Sequence, residues 1–346
     1  MKAAKTIYRP TLFIGNEGRP RGFELDNLFR AWIPFNLGRE TIRSLFSELI
    51  KKKEAPLKVL MPEFICADVP EALNGLNVDI TWYSVDIFNL DQLNIDVNLL
   101  KSHDCLFVVN YFGLATSLQK LNEAPNLIVI EDNAHGFLGR DLSGELLGTR
   151  GDFGIFSLRK TLPISSGAAL FCSTMHSEIE KTIREVQQKK ELIEVSVSKT
   201  TLRDFSQIIP LKLFHWLLSV KRNLAKNASQ SEKLTAESKR ISFPGELLLR
   251  LDPDLERERR KRLYEECLGL FEPFKEIIKV IPFNEKEIPY GFVFYLVESS
   301  KLNRIRQKIE NSGMDLIKWP ELPAVIESKY SDEHPYKNVY FIPFIW

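Results

Sequence analysis

From about residue 36 to 175 the chain alternates short apolar runs with amphipathic, helix-length stretches, and this alternation constrains the fold more than any other feature. Val59-Leu60-Met61, Ile80 to Val85, Leu106 to Asn110, Leu127 to Glu131, Phe153 to Leu158 and Ala168 to Cys172 read as strands. Pro62 stops the first, since proline has no N–H to give a ladder. Asn36 to Ile50 reads as a helix entered through Gly38, Asn94 to Lys101 as another, and Leu118 to Asn122 as a helical turn. Strands separated by helix-length segments predict a parallel or mixed sheet covered by helices, an α/β fold. Ligands of such sheets bind beyond the carboxyl ends of the strands.

A chain of 346 residues exceeds the usual size of a single core, so a large domain with a smaller companion is expected. Residues 177 to 240 read as helical, rich in Lys, Gln and Ser, with an apolar patch from Ile208 to Val220. Gly245 to Leu270 reads as a long helix whose run Glu256-Arg257-Glu258-Arg259-Arg260-Lys261-Arg262 suits a solvated face. Ile277 to Pro282 and Gly291 to Val297 read as strands, and Leu302 to Ser312 as a helix. The expected division is a large α/β domain over 1–240 and a small α+β domain over 241–346. Lys+Arg total 47 against 46 Asp+Glu, so no bulk charge points to nucleic acid or a membrane surface. The four cysteines, at 66, 105, 172 and 267, stand singly, with no zinc spacing. That usage suits a reducing, cytoplasmic compartment. The start, Met1-Lys2-Ala3-Ala4-Lys5, lacks an apolar signal core, and no apolar run reaches membrane-spanning length.

Chemistry gathers at two of the strand ends. Ile128-Val129-Ile130 leads into Glu131-Asp132-Asn133-Ala134-His135-Gly136, and Gly151-Asp152-Phe153-Gly154-Ile155-Phe156-Ser157 leads to Lys160, 28 positions after Asp132. An acid and a lysine at neighbouring strand ends are what a pyridoxal phosphate site needs. The acid faces the pyridine nitrogen and keeps it protonated, and the lysine holds the aldehyde. Asp132 takes the first role and Lys160 the second. Alternation turns Glu131 to the opposite face, toward a structural pair. His135 would touch the cofactor ring or its phenolic oxygen. Ser157 offers a phosphate ligand, and Gly38-Arg39 opens a helix whose N–H groups suit an anion. Phe64 would stack on the ring. Read singly, each has a plainer use: Asp132 as a helix cap, His135 as a loop histidine, Gly38 as a turn glycine, Phe64 as core, Lys160 as a surface lysine.

Taken in order, these segments resemble the DegT/DnrJ/EryC1/StrS sugar aminotransferases, fold-type I pyridoxal phosphate enzymes. The resemblance rests on Gly38-Arg39, Pro62-Glu63-Phe64, Glu131-Asp132-Asn133-Ala134-His135, Gly151 to Ser157, and Lys160 with Gly167-Ala168. Asp86 with Asn94-Ile95-Asp96 adds to it. It implies a large, mostly parallel sheet with helices on both faces, a small α+β C-terminal domain, and pyridoxal 5'-phosphate as cofactor. It implies Lys160 as the catalytic lysine that also shuttles a proton. Asp132, His135, Ser157, Phe64, Gly38 and Arg39 would bind the cofactor. It implies amino transfer from an amino acid, commonly glutamate, to a keto-sugar on a nucleotide, as in polysaccharide or antibiotic sugar synthesis, by a homodimer.

The chain departs from the family at four places. Two residues, Leu158 and Arg159, separate Ser157 from Lys160 where the family has four. The spacing from Lys160 to Gly167 matches, so a two-residue deletion before the lysine is the reading. Arg39 replaces a threonine. Ala168 replaces the second glycine of a pair. The family's Asn-Tyr-Arg segment, which reaches into the partner subunit, has no clear match near Ser242 to Leu247. Two alternatives follow: a non-catalytic relative that binds a ligand or partner, and another pyridoxal phosphate reaction such as sugar dehydration. A dehydratase of the family would carry histidine where Lys160 stands.

Overall fold

A computed structural model describes residues 31–193, 240–241 and 253–344, apart from Asp91, Phe137, Pro163, Ser165, Ser312, Gly313 and Asp315. The apolar patch from Ile208 to Val220 and the segment Ser242 to Leu247 lie outside these. The apolar runs form β1 (Ile33–Phe35), β2 (Leu57–Pro62), β3 (Val78–Tyr83), β4 (Cys105–Val109), β5 (Ile128–Asp132), β6 (Phe153–Phe156) and β7 (Ala168–Cys172). They join in one sheet ordered β1-β7-β6-β5-β4-β2-β3. From β3 through β6 every neighbour is parallel, while β7 runs antiparallel to both β6 and β1. This is the mostly parallel α/β sheet that the alternation predicts.

Both faces are covered because the strands alternate between two cores. Val59, Met61 and Phe107 point to one side, where helix α1 (Gly38–Ile50) packs Ile42, Leu45, Phe46 and Leu49 in a stripe. That spacing of three and four is an amphipathic helix's apolar face. Leu60, Leu106 and Val108 point to the other side and meet Leu93, Ile95 and Leu100. On the way the chain forms two short helices, α2 (Asp68–Glu71) and α3 (Val97–Lys101), the latter capped by the Asp96 carboxylate. After β6 come the turn α4 (Leu158–Thr161) and, beyond β7, α5 (Ser177–Gln188), which lies beside α1. Two-residue strands β8 (Leu192–Ile193) and β9 (Arg240–Ile241) pair in parallel.

The C-terminal part is α+β, as predicted. Helix α6 (Pro253–Phe271) precedes β10 (Ile278–Val280) and β11 (Gly291–Leu296); α7 (Leu302–Asn311) precedes β12 (Ile317–Lys318) and β13 (Val339–Pro343). The strands make an antiparallel sheet ordered β10-β11-β13-β12. Alternation again sorts its faces. Phe292, Phe294, Tyr340 and Ile342 pack with Leu263, Cys267 and Ile305 of the helices. Val293, Val339 and Phe341 instead join the core of the large sheet. Among the described residues no helix is long and apolar enough to cross a membrane.

One expectation holds only in part. In the charge run of α6 Glu258 and Arg262 are exposed, whereas Glu256, Arg259 and Arg260 are buried. Both arginines donate to the Glu256 carboxylate, at 2.6–2.7 Å. They also reach the carbonyls of Phe344 and Pro289 at 3.4 and 3.3 Å. Spacings of three and four put all three side chains on one helical face, and contact with Phe344 and Pro289 makes it interior. Buried charges are tolerated because they are paired.

Candidate active site

Strand β5 delivers two adjacent acids to opposite sides of the sheet's carboxyl edge. Glu131 meets six N–H groups: Nδ2 of Asn110, the backbone of Gly148, Arg150 and Gly151, and Nε and one terminal nitrogen of Arg150, at 2.6–3.2 Å. It is the structural pair that alternation predicts. Gly154 on β6 belongs to the same construction. A Cβ there would stand 1.7 Å from the Gly148 carbonyl oxygen, so only glycine lets the loop around Arg150 lie against the sheet. Asp132 has a different environment. Its buried carboxylate takes one side-chain hydrogen bond, from the Ala134 N–H at 2.9 Å. Burial raises its pKa above the usual carboxylate value, against the opposing pull of Lys160 and of that N–H.

Lys160 stands on α4 rather than at the end of a strand, because β6 stops at Phe156 instead of Leu158. The Arg159 N–H bonds the Gly167 carbonyl at 3.0 Å, and the Gly167 N–H bonds the Asn36 carbonyl at 2.9 Å. These two links draw α4 against the start of α1. Gly167 holds φ 143°, and a Cβ on it would stand 2.9 Å from Ile164, so the glycine that follows the lysine has a steric reason. The shortened approach leaves Lys160 Nζ 3.3 Å from His135 Nε2. Burial first, and the lysine's charge second, hold the imidazole well below its ordinary pKa. A neutral ring has one acceptor nitrogen, and Nε2 faces the amine. The ring is stacked on Tyr290 at 4.7 Å and meets Trp319 edge-on at 5.1 Å and Phe112 at 5.7 Å. Phe112 adopts a left-handed backbone (φ 55°) to join this group, a strain offset by packing on Trp319 and Phe341.

These groups line one cleft of about 730 Å³, counted with the solvent at its mouth. Its wall includes Gly38, Arg39, Asp132, His135, Ser157 and Lys160, together with Cys66, Asp68, Arg159 and Trp319. Six of the seven residues singled out from sequence are therefore brought together. Phe64 is the exception. Its ring is fully buried among Tyr111, Trp319 and Tyr336, with centroids 5.1–5.3 Å away. The cause lies in Glu63, which ties its N–H to the Tyr83 carbonyl and its carboxylate to Lys329 and Tyr330, turning the next side chain into the aromatic core. The aromatic on the cleft is Trp319. Sequence reading gave no role to Trp319 or Tyr290, since each lies more than 120 positions from the lysine and no spacing links them.

The residues present fit pyridoxal phosphate on three counts. Asp132 is a buried acid with no cation in contact among the described residues. A Cβ on Gly38 would meet nothing within 4 Å, so the start of α1 is open to the cleft. Ser157 precedes α4 without capping it, which leaves its hydroxyl to the cleft. The family model of the DegT/DnrJ/EryC1/StrS aminotransferase family matches residues 59–195. No curated protein matches the sequence. Many solved structures share the fold, these three among them. One is Escherichia coli GDP-4-keto-6-deoxy-D-mannose-3-dehydratase with bound hydrated PLP, at TM-score 0.58 and 14% identity, covering 99% of this chain and 91% of that one. The second is a DegT DnrJ EryC1 StrS aminotransferase from Brucella abortus, at 0.58 and 16%, covering 99% and 89%. The third is NtdA of Bacillus subtilis with bound cofactor PMP, at 0.60 and 13%, covering 94% and 73%. Over residues 59–195 the chain thus carries the sequence pattern of the DegT/DnrJ/EryC1/StrS aminotransferase family, on the α/β fold of fold-type I pyridoxal phosphate enzymes.

Proposed function

We propose that the cleft holds pyridoxal phosphate and that the protein is an aminotransferase. It takes the amino group of an amino acid, glutamate being the expected donor, and delivers it to a keto-sugar carried on a nucleotide. The observation that carries this reading is the convergence of the Lys160 amine, the Asp132 carboxyl and the open start of α1 on one cleft. When bound, pyridoxal phosphate supplies an electron sink and carries the amino group between the two substrates. Asp132 would hold the pyridine nitrogen protonated. A pyridinium is also the cationic partner that this buried acid lacks. The N–H groups at the start of α1, with Gly38, Arg39 and the Ser157 hydroxyl, would hold the phosphate. Trp319, which lines the cleft as Phe64 does not, would cover the aromatic ring. Lys160 would bind the aldehyde and move the proton at the substrate's reacting carbon as general base and acid.

The neighbours of this fold include a dehydratase as well as aminotransferases. Lys160 favours amino transfer, since the resemblance leads one to expect histidine there in a dehydratase. Its reach into the cleft favours a catalyst over a non-catalytic relative. A homodimer completes the proposal by resemblance. Incubation with pyridoxal phosphate should turn the protein yellow, with absorption at roughly 400–430 nm, and borohydride should fix the cofactor on Lys160. Glutamate should then bleach the band and release 2-oxoglutarate. A colourless protein sinks the reading. An unbleached band with elimination product from a nucleotide sugar shifts it to dehydration.

A further inference from the structure

The cleft contains a cation that nothing above employs. Arg159 precedes Lys160 on α4, lines the same cleft and is exposed to it. Among the described residues its guanidinium makes no hydrogen bond or ion pair. Other arginines are engaged: Arg43 on the Ala72 and Asn74 carbonyls, Arg140 on Gly144, Arg150 on Glu131 and Arg184 on Glu180. The two carboxylates of the cleft, Asp68 and Asp132, do not pair with Arg159 either. Its backbone is fixed by the Gly167 link, so the side chain starts from a defined point. Its charge is felt at Tyr290, the ring that stacks on His135. Arg159 and Lys160 thus line one cleft.

Resting on the pyridoxal phosphate reading, we propose that Arg159 anchors the α-carboxylate of the amino donor. The choice of anion follows from bond counts. In an amino acid the carboxylate is one bond from the carbon that bears the amino group. In a nucleotide-linked keto-sugar the diphosphate is separated from the reacting carbonyl by the sugar ring. A cation that lines the same cleft as the reacting lysine suits the nearer of these anions. The planar guanidinium also offers two parallel N–H donors that match a carboxylate's two oxygens. A single positive charge balances a single negative one. Arg159 is a specificity residue of the donor half-reaction and has no part in holding the cofactor.

The test is a spectroscopic titration of the cofactor-loaded protein, wild type and Arg159→Gln, with L-glutamate and with its α-amide. Arg159→Gln should take up pyridoxal phosphate like the wild type. Its half-saturating glutamate concentration should rise by about tenfold to a hundredfold, the worth of one hydrogen-bonded charge. The α-amide should be affected little, so the wild type's preference for the acid disappears. Arg159→Lys should recover part of the loss, because an ammonium restores charge but not the fork. An unchanged glutamate titration in a yellow Arg159→Gln protein overturns the proposal and leaves the aminotransferase reading standing. So does an equal loss with the α-amide, or a loss confined to the keto-sugar half-reaction. A wild type that takes up no cofactor removes both.

Discussion

The two sides of strand β5 at the sheet's carboxyl edge hold adjacent acids in opposite conditions. On one side Glu131 is saturated by Arg150, Asn110 and a glycine-containing loop. On the other Asp132 is nearly as buried but faces the cleft, and among the described residues it has one N–H and a lysine that rests on His135 instead. Burial costs each acid hydration, and Glu131 recovers it within the chain. A fold that satisfies one acid and leaves its neighbour wanting has separated a structural group from one kept for a ligand. The buried Glu256–Arg259–Arg260 group in α6 falls with Glu131, since it too is closed on itself.

The largest expected effect breaks the comparison at its functional side. Lys160→Ala should lower turnover by at least about a thousandfold, the scale of losing a nucleophile that is also the proton carrier. It should abolish borohydride-stable cofactor and leave the urea unfolding midpoint near that of the wild type. A matching drop in stability would place Lys160 with the structural groups. The next effect lies on the other side. Glu131→Ala leaves the Arg150 guanidinium with only Asn110 and a 3.4 Å contact to Asp141 among the described residues, takes the acceptor from three backbone N–H groups, and should destabilise the protein by about 3–5 kcal/mol in urea unfolding. A loss below about 1 kcal/mol would mean that the loop around Arg150 finds water or other partners.

Much of this division is legible in the sequence. Glu131 and Asp132 part because strand neighbours alternate, and the large sheet follows from strand-length runs separated by helix-length spacers. Lys160 was legible from the distance to Gly167, which the structure ties to Asn36 through one hydrogen bond. The failures share a cause, which is that burial by distant segments leaves no local mark. Glu256, Arg259 and Arg260 look solvated until Phe344 and Pro289 close over them. Phe64 reads more commonly as core than as a cleft residue, and it lies in the core beside Glu63, which pairs with Lys329. Trp319 and Tyr290 come from the far third of the chain. β13 is a central strand of the small sheet, yet it lies in a stretch where no element was expected.

The smallest effect sharpens the contrast through pH. Asp132 has its folded-state pKa raised above the ordinary 3.8, with burial the largest cause. The folded protein without cofactor therefore binds this proton more tightly than the unfolded chain does. Stability contributed by the protonated acid is present below the unfolded value and is lost as pH rises through the folded one. Asp132→Asn removes that loss. The variant should match the wild type at pH 3–4 and exceed it on the order of 1 kcal/mol at neutral pH, in urea unfolding without cofactor. Pyridoxal phosphate should reverse the order, because a protonated pyridine nitrogen stabilises the aspartate and gains less from asparagine. The loaded wild type should then be the more stable protein and the variant should bind the cofactor more weakly. A variant less stable at neutral pH in the absence of cofactor would show that Asp132 is satisfied within the chain, and the asymmetry between the two acids would be gone.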